Sequence, residues 1–268
     1  MKTWTNCDAC LRAESVGPEA VAAFLAEYAA LLAGCGATCI RIEKNTRRMA
    51  EAFGIGLGLF IMPDHVTVSV LVSEGIGTAT EMRKTADCGI SFNLNARLSR
   101  LSWEVADNHL NLAVATERFN LIRETKPTGK SEVLMLAGLA NASFCRLFGG
   151  DATAMLIVLI STLAGYRLKQ IMLEMRCDVR FAFLCAAFVS ASLSAGGYIF
   201  HIGTTPEIAV GTSVLYLIPG VPYINSVSDL IYRHYLCAFS RFMDAAVLTV
   251  CLSAGLCAGM LLLGLDWF

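Results

Sequence analysis

Charge is what this sequence has least of. Asp, Glu, Lys and Arg make up 16% of its 268 residues, against 56% hydrophobic residues, and mean hydropathy is +0.59. That balance argues against a purely water-soluble protein. The net charge is −1, so nothing points to nucleic acid as a partner. Phosphate-binding motifs are missing as well. "GIGLG" (Gly54–Gly58) follows a helical pattern and precedes a strand, the reverse of a dinucleotide fingerprint. Gly129-Lys130-Ser131 ends like a P-loop, but Glu124 stands where its leading glycine belongs. No ATPase is expected. His65 and His109 are lone histidines, and residue order gives no Ser-His-Asp or Cys-His arrangement. No catalytic residue, cofactor or metal is therefore assigned. "MKTWTNCDACLRAES" lacks the apolar core of a signal peptide, so the N-terminal part is expected to stay in the cytosol with its thiols reduced.

Cysteine, by contrast, is plentiful, with eleven residues. Cys145, Cys185, Cys251 and Cys257 fall in apolar runs and act there as small packing residues. Cys7 and Cys10 form a CxxC, and Cys35 and Cys39 a looser pair. Four cysteines can hold zinc, but this spacing matches a zinc site only in part; reduced, unpaired thiols are the expectation.

The few charges are unevenly placed. Of the 21 Lys and Arg, 14 precede residue 131, and so do 14 of the 22 Asp and Glu. The step predicts a cytosolic α+β domain over residues 1–130 and an all-α polytopic membrane domain over 131–268. A span needs roughly 20 apolar residues. Five candidates lie near 132–150, 152–168, 181–200, 207–222 and 240–265, and the fourth is too short to cross as one simple helix. None has the polar face that a water-facing helix needs. The connection after the second span carries Arg167, Lys169, Arg176 and Arg180, and the one after the fourth carries Arg233 and Arg241. The segment His201–Glu207 has no Lys or Arg. The positive-inside rule then puts both basic connections and the N-terminal domain in the cytosol. Asp266-Trp267-Phe268 suits a membrane interface, and five spans put that end outside.

Within the first domain, Val21, Phe24, Leu25, Tyr28, Leu31 and Leu32 recur at helical spacing, predicting a helix over 19–33 that stops at Gly34. "TCIRIE" alternates and reads as a strand; "EKNTRRMAEAF" reads as a helix ending at Gly54. "LGLFIM" and "HVTVSVLV" read as a hairpin around Pro63-Asp64, with Val66, Val68, Val70 and Val72 on one face. Residues 92–122 read as helices with a break near Ser102.

"LAGCGATCIRIEKNTRRMAEAFG", "RLFGGD" and "LIPGVPYINSVSDLIYRHYLCAFSR" resemble the threonine/serine exporter family of the ThrE type, from about Leu32 onward. The block with Pro219-Gly220, Asn225, Asp229 and Arg241 is the most specific part. The resemblance implies a cytosolic α+β domain followed by membrane helices. Single-chain members carry about ten spans; five resemble the YjjP-like larger subunit of the split form, which works with a small five-span YjjB-like subunit. It implies a multi-pass protein of the bacterial inner membrane. Substrates by resemblance are threonine and serine, with a small carboxylic acid an equal chemical possibility for the split form.

The interrupted fourth span gives that block a physical meaning. Irregular backbone at membrane depth persists only in a protein interior or a wet cavity. Transporters use discontinuous helices there to present free backbone groups. Pro219 and Pro222 lack an N–H, and Gly220 loosens the chain. If 224–236 is helical, Asn225 and Asp229 share one face. Asp229 can then hold a substrate ammonium or a coupling proton, and Arg241 can pair with Asp229 or grip a carboxylate. The plainer reading is a cytosolic loop with Asp229 as a helix cap. Asn141, inside the first span, lines a pore or bonds between helices. Gly255-x-x-x-Gly259 and "SASLSAGG" permit close helix approach, within the chain or between copies in a homo-oligomer. Arg41 and Glu43 read as a structural pair or an interface contact. A secondary exporter subunit is favoured; a membrane-anchored hydrolase and a ligand sensor are the alternatives.

Overall fold

The computed structural model describes residues 17–71, 78–86, 88–126, 128–200 and 202–264. Cys7, Cys10, Val72 and the Asp266–Phe268 end lie outside the described residues. The chain divides into two compact units: residues up to Lys126 with Val221–Phe242, and Pro127–Gly220 with Met243–Phe268.

The first unit is α+β. Its central helix α1 (Pro18–Gly34) packs against the sheet and against α2 (Cys39–Ala52), α3 (Phe92–Asp107) and α4 (Leu112–Arg123). Val21, Phe24, Leu25, Tyr28 and Leu32 are buried as the spacing predicts, and so are Ala22, Ala26 and Ala29. Small residues between the large ones let neighbours approach from several sides, so α1 is buried nearly all round. Gly34 shows how close they come: a Cβ there would collide with the Ala86 carbonyl.

The sheet is an antiparallel meander of β1 (Gly56–Ile61), β2 (His65–Leu71) and β3 (Thr78–Lys84). The hairpin forms as expected, with Phe60 opposite Thr67. Val66, Val68 and Val70 are fully buried. Strand β3, "TATEMRK", buries only Ala79 and carries the Arg83–Glu81 ion pair at 2.6 Å. Its polar edge-strand composition hides it from a hydrophobic pattern.

Two readings are corrected here. "TCIRIE" is no strand: Cys39 to Glu43 are the first turn of α2. Ile42, Asn45, Thr46, Met49 and Ala50 are buried at the helical period, and that longer period overrides a short alternation. The break in 92–122 falls at Asn108–Asn111, beyond Ser102. There His109 takes a positive φ of 47°, and the Asn111 side chain caps α4 by accepting from the Val114 N–H. Arg41 and Glu43 also part company. Arg41 donates to Asn95 at 3.1 Å, while Glu43 pairs with Arg47 at 2.7 Å.

The described cysteines form no disulfide. Cys35 donates to the Leu32 carbonyl, and burial pushes its thiol up to about 12. Cys39 is raised further, first by a hydrogen bond with Cys237 and then by burial and the Asp229 charge. Since the thiolate is the nucleophile, neither thiol should react with a maleimide at pH 7.5 in the folded protein. Fast labelling of either, read by mass spectrometry, would contradict this packing.

The second unit is helical: α5 (Lys130–Leu147), α6 (Ala152–Glu174), α7 (Val179–Ile199), the short α8 (Pro206–Thr212), a 3₁₀ turn (Leu215–Leu217) and the later part of α10 (Tyr235–Leu262). The remaining helix, α9 (Gly220–Ile231), belongs to the first unit from Val221 on. Among the described residues α6, α7 and α10 are long and apolar enough to cross a membrane, and Pro206–Leu217 with Gly220–Ile231 makes a fourth if counted as one broken span. α5 has Lys130, Glu132 and Arg146 within 18 residues, which keeps it out of that set.

Glycines set the helix spacing in this bundle. Gly255 faces the Leu184 carbonyl and Ala187, and Gly259 faces Ala191 and the Phe188 carbonyl. The small-residue motif thus packs α10 on α7 within the chain. At the head of α6, Asp151 caps the helix by accepting from the Ala154 N–H at 2.6 Å, and it also accepts from the Thr204 N–H and hydroxyl. Those bonds, the Thr204 N–H first, hold its carboxyl well below the usual carboxylate range. A depressed folded-state value stabilises above the ordinary carboxylate range and is lost as pH falls through the depressed one. Acid melting of Asp151→Asn should therefore be less steep with pH than wild type below about pH 4. Superimposable pH profiles would show the cap contributes nothing.

Candidate functional site

Asn225, Asp229 and Arg241 converge within the first unit. α9 ends at Ile231, and a turn with Arg233 at φ 65° leads into α10. Asn225 and Asp229 are one helical turn apart and face the loop between α1 and α2. Asn225 Nδ2 donates to the Gly36 carbonyl at 2.9 Å, and Arg241 Nη2 donates to the Ala37 carbonyl at 2.9 Å. Asp229 Oδ1 accepts from the Cys39 N–H at 2.8 Å. Asp229 Oδ2 lies 2.9 Å from Arg241 Nη1. Asp229 is fully buried. The Thr38 side chain makes no cap bond, so a carboxylate 190 residues away supplies the cap of α2. It meets the positive end of the helix dipole as well as the guanidinium. Gly36, at φ 82°, lets the loop turn so that its carbonyls face these donors.

α9 is inverted relative to a water-soluble helix. Ser226 and Asp229 are buried, whereas Ile224, Val227, Leu230 and Ile231 are more than half exposed. Apolar surface outside and polar groups inside is the pattern of a helix that meets lipid or another chain.

A second polar cluster lies inside the helical unit. Asn141 is 2% exposed. Its Nδ2 donates to Thr162 Oγ1 at 2.6 Å and to the Thr212 carbonyl at 3.1 Å, where α8 stops. Its Oδ1 is buried with no hydrogen-bond partner. Nearby Ser190 Oγ donates to the Ser161 carbonyl at 3.1 Å and lies 2.9 Å from the Tyr216 hydroxyl. Ser194 donates to Ser161 Oγ at 3.0 Å. Gly165 sits against Ser190, the Tyr216 hydroxyl and the Ala186 carbonyl, with no room for a Cβ. Pro219 lies just past the 3₁₀ turn, where the chain is neither α8 nor α9, and Gly220 is the first residue of α9.

The family sequence model for the threonine/serine exporters, ThrE, matches residues 23–263. The chain belongs to this family. Among similar proteins is the "Probable succinate transporter subunit YjjP" of Klebsiella aerogenes, 25% identical over 95% of this chain and 98% of its own length. Another is the protein of the same name from Escherichia coli K12, 24% identical over 86% of this chain and 90% of its own length. No solved structure matches. Family membership and the apolar helices mark this as a membrane protein of an exporter family; both relatives carry the name of a transporter subunit.

Of the six residues singled out by sequence, three form the Asp229 cluster. Asn141 heads the other cluster, and Pro219 and Gly220 mark the helix interruption. Ser161, Thr162, Ser190, Ser194 and Tyr216 went unnoticed. Their signal was present as hydroxyls on apolar helices, with Ser190 and Ser194 one turn apart, but "SASLS" reads equally well as small residues for packing.

Proposed function

We propose that this chain is one subunit of a secondary-active exporter in the bacterial cytoplasmic membrane. It spans the bilayer about five times, with the N-terminal unit in the cytosol. It works with a small five-span YjjB-like partner and moves small metabolites bearing carboxylates, with threonine, serine and succinate as the first candidates. The observation that carries this reading is the polar cluster at the interrupted helix. Asn141, Ser161, Thr162, Ser190, Ser194 and Tyr216 meet between apolar helices where α8 gives out. Polar groups are costly there unless bonded or used. Asn141 keeps a buried carbonyl oxygen with no protein donor, which a substrate hydroxyl, ammonium or water can supply. An ion gradient supplies the driving force, because the sequence carries no nucleotide motif.

The chain and its partner, co-reconstituted in proteoliposomes, should move at least one of labelled serine, threonine and succinate under an imposed gradient. Flux is expected only with both subunits present. Equal flux from this chain alone overturns the split form, and no flux of any candidate overturns the reading. Topology is tested separately in a cysteine-free background. A cysteine at position 176 should react from the cytosolic side and one at 204 from the outer side; the reverse pattern removes the cytosolic assignment.

A further inference from the structure

A second charged cluster in the first unit shares no residue with the Asp229 site. α3 carries Arg97, Arg100 and Glu104 on one helical face, and α4 carries Arg118, Leu121 and Ile122 on one of its own. Together they line a cavity of about 280 Å³. The three guanidiniums are held differently. Arg97 Nε donates to Asn93 Oδ1 at 3.0 Å and its Nη1 to the Thr125 hydroxyl at 3.3 Å, which fixes the plane of its fork. Arg118 Nη1 donates to Glu104 Oε2 at 2.5 Å and so joins the two helices. Arg100 makes no hydrogen bond or ion pair among the described residues. Three cations against one carboxylate leave the lining with a surplus of two positive charges. Leu121 stands beside them 64% exposed.

We propose that this cavity binds a small phosphate monoester, with the phosphate on Arg97, Arg100 and Arg118 and the organic group against Leu121 and Ile122. A guanidinium offers planar pairs of N–H donors that match phosphate and carboxylate oxygens alike. Charge decides between the two. A carboxylate brings a single charge and two oxygens. A phosphate monoester brings about −1.5 to −2 near neutral pH and three acceptor oxygens, which offsets the surplus and gives each arginine an oxygen. The existing bonds need not break, because an arginine has more N–H donors than these contacts use. Arg97 and Arg118 are thereby oriented in advance, and Arg100 brings a whole unused fork. The volume lies just under the usual range for small-molecule sites, about 300–1,000 Å³, so a compact ester is the size expected. Its organic group removes part of Leu121 from water, which favours an ester over bare phosphate. The site lies in the first unit alone and stands or falls independently of the exporter reading.

The test is calorimetric titration of the purified full chain with phenyl phosphate, which should fill one saturable site. Methyl phenyl phosphate, a diester with one charge, and benzoate should each bind at least about tenfold more weakly. Arg100→Gln should weaken phenyl phosphate by roughly ten- to hundredfold, the loss of a charged hydrogen bond, and Arg100→Lys should recover part of it. Melting should stay at the wild-type value in both, since Arg100 has no partner to lose. Wild-type affinity in Arg100→Gln overturns the proposal, and so does the absence of saturable binding. Should Arg100→Gln not accumulate, the three probes on wild type give the answer, and equal affinities overturn the dianion site. Phosphatidic acid carries the same monoester on a lipid, so the titration is repeated in nanodiscs. Phenyl phosphate binding lost in phosphatidic acid nanodiscs and kept in phosphatidylcholine ones assigns the site to a lipid headgroup. Binding kept in both assigns it to a soluble ester, and binding lost in both overturns the site.

Discussion

Asp229→Asn is expected to destabilise the first unit by about 3–5 kcal/mol, the usual cost of leaving one member of a buried ion pair unmatched. Asparagine keeps the shape, and its Oδ1 can still accept from the Cys39 N–H. What it removes is the charge facing Arg241, 2.9 Å away on a guanidinium only 23% exposed. The same carboxylate stabilises the start of α2, so its loss weakens the cap as well. Thermal melting of the purified protein and limited proteolysis near Gly36 should both report the change. Asp229→Asn with Arg241→Gln should recover much of the loss, because no charge is then stranded. Export then separates two roles for Asp229. If it serves as a latch, the double variant exports as well as it folds. If it also carries the coupling proton, as the sequence suggests, the double variant is stable and still fails under a gradient. Unchanged melting in the single variant would mean the pair contributes little to this unit.

How far the sequence could be read follows from the range of each signal. The valine alternation of β2 and the heavy apolar spacing of α1 are local and strong, and both elements form where expected. The strand reading of "TCIRIE" fails because six residues cannot separate a period of 2 from the start of a period of 3.6. The next eight residues, with Asn45, Thr46 and Met49 buried, decide it. Asn225, Asp229 and Arg241 were legible as a group, since proline and glycine beside an acid and an arginine in an apolar context are unusual. Their partners were not. Gly36, Ala37 and Cys39 contribute backbone atoms, and a backbone carbonyl or N–H leaves no trace in residue identity. The chain order gives no hint that residues 221–242 belong with the first unit. The hydroxyl cluster was hidden for the opposite reason: serine in an apolar helix serves packing and hydrogen bonding equally, and only the facing residue distinguishes them. Ser190 faces Tyr216, whereas Gly255 and Gly259 face α7 backbone and alanine.

The second large effect belongs to Asn141. Asn141→Leu should leave the protein folded and assembled but lower gradient-driven flux by at least about tenfold. Leucine has the same number of side-chain heavy atoms as asparagine in the same branched arrangement, so it occupies the amide's place with little change of shape. The lost stability should be small, because hydrogen bonds between membrane helices contribute only about 0.6–1.7 kcal/mol. Function depends on more than that energy. Asn141 Nδ2 bridges Thr162 on α6 and the Thr212 carbonyl at the end of α8, so it links a regular helix to the interrupted one. Without it the Thr212 carbonyl and the Thr162 hydroxyl lose a shared donor, and α6 loses its link to the end of α8. The unpaired Asn141 Oδ1, an acceptor open to a substrate donor or water, disappears too. Asn141→Gln keeps both amide functions and should retain part of the flux, which separates amide chemistry from simple packing. Melting temperature, abundance in the membrane and initial flux are the three measurements. Normal flux in Asn141→Leu at normal abundance would reduce Asn141 to a structural bond between helices.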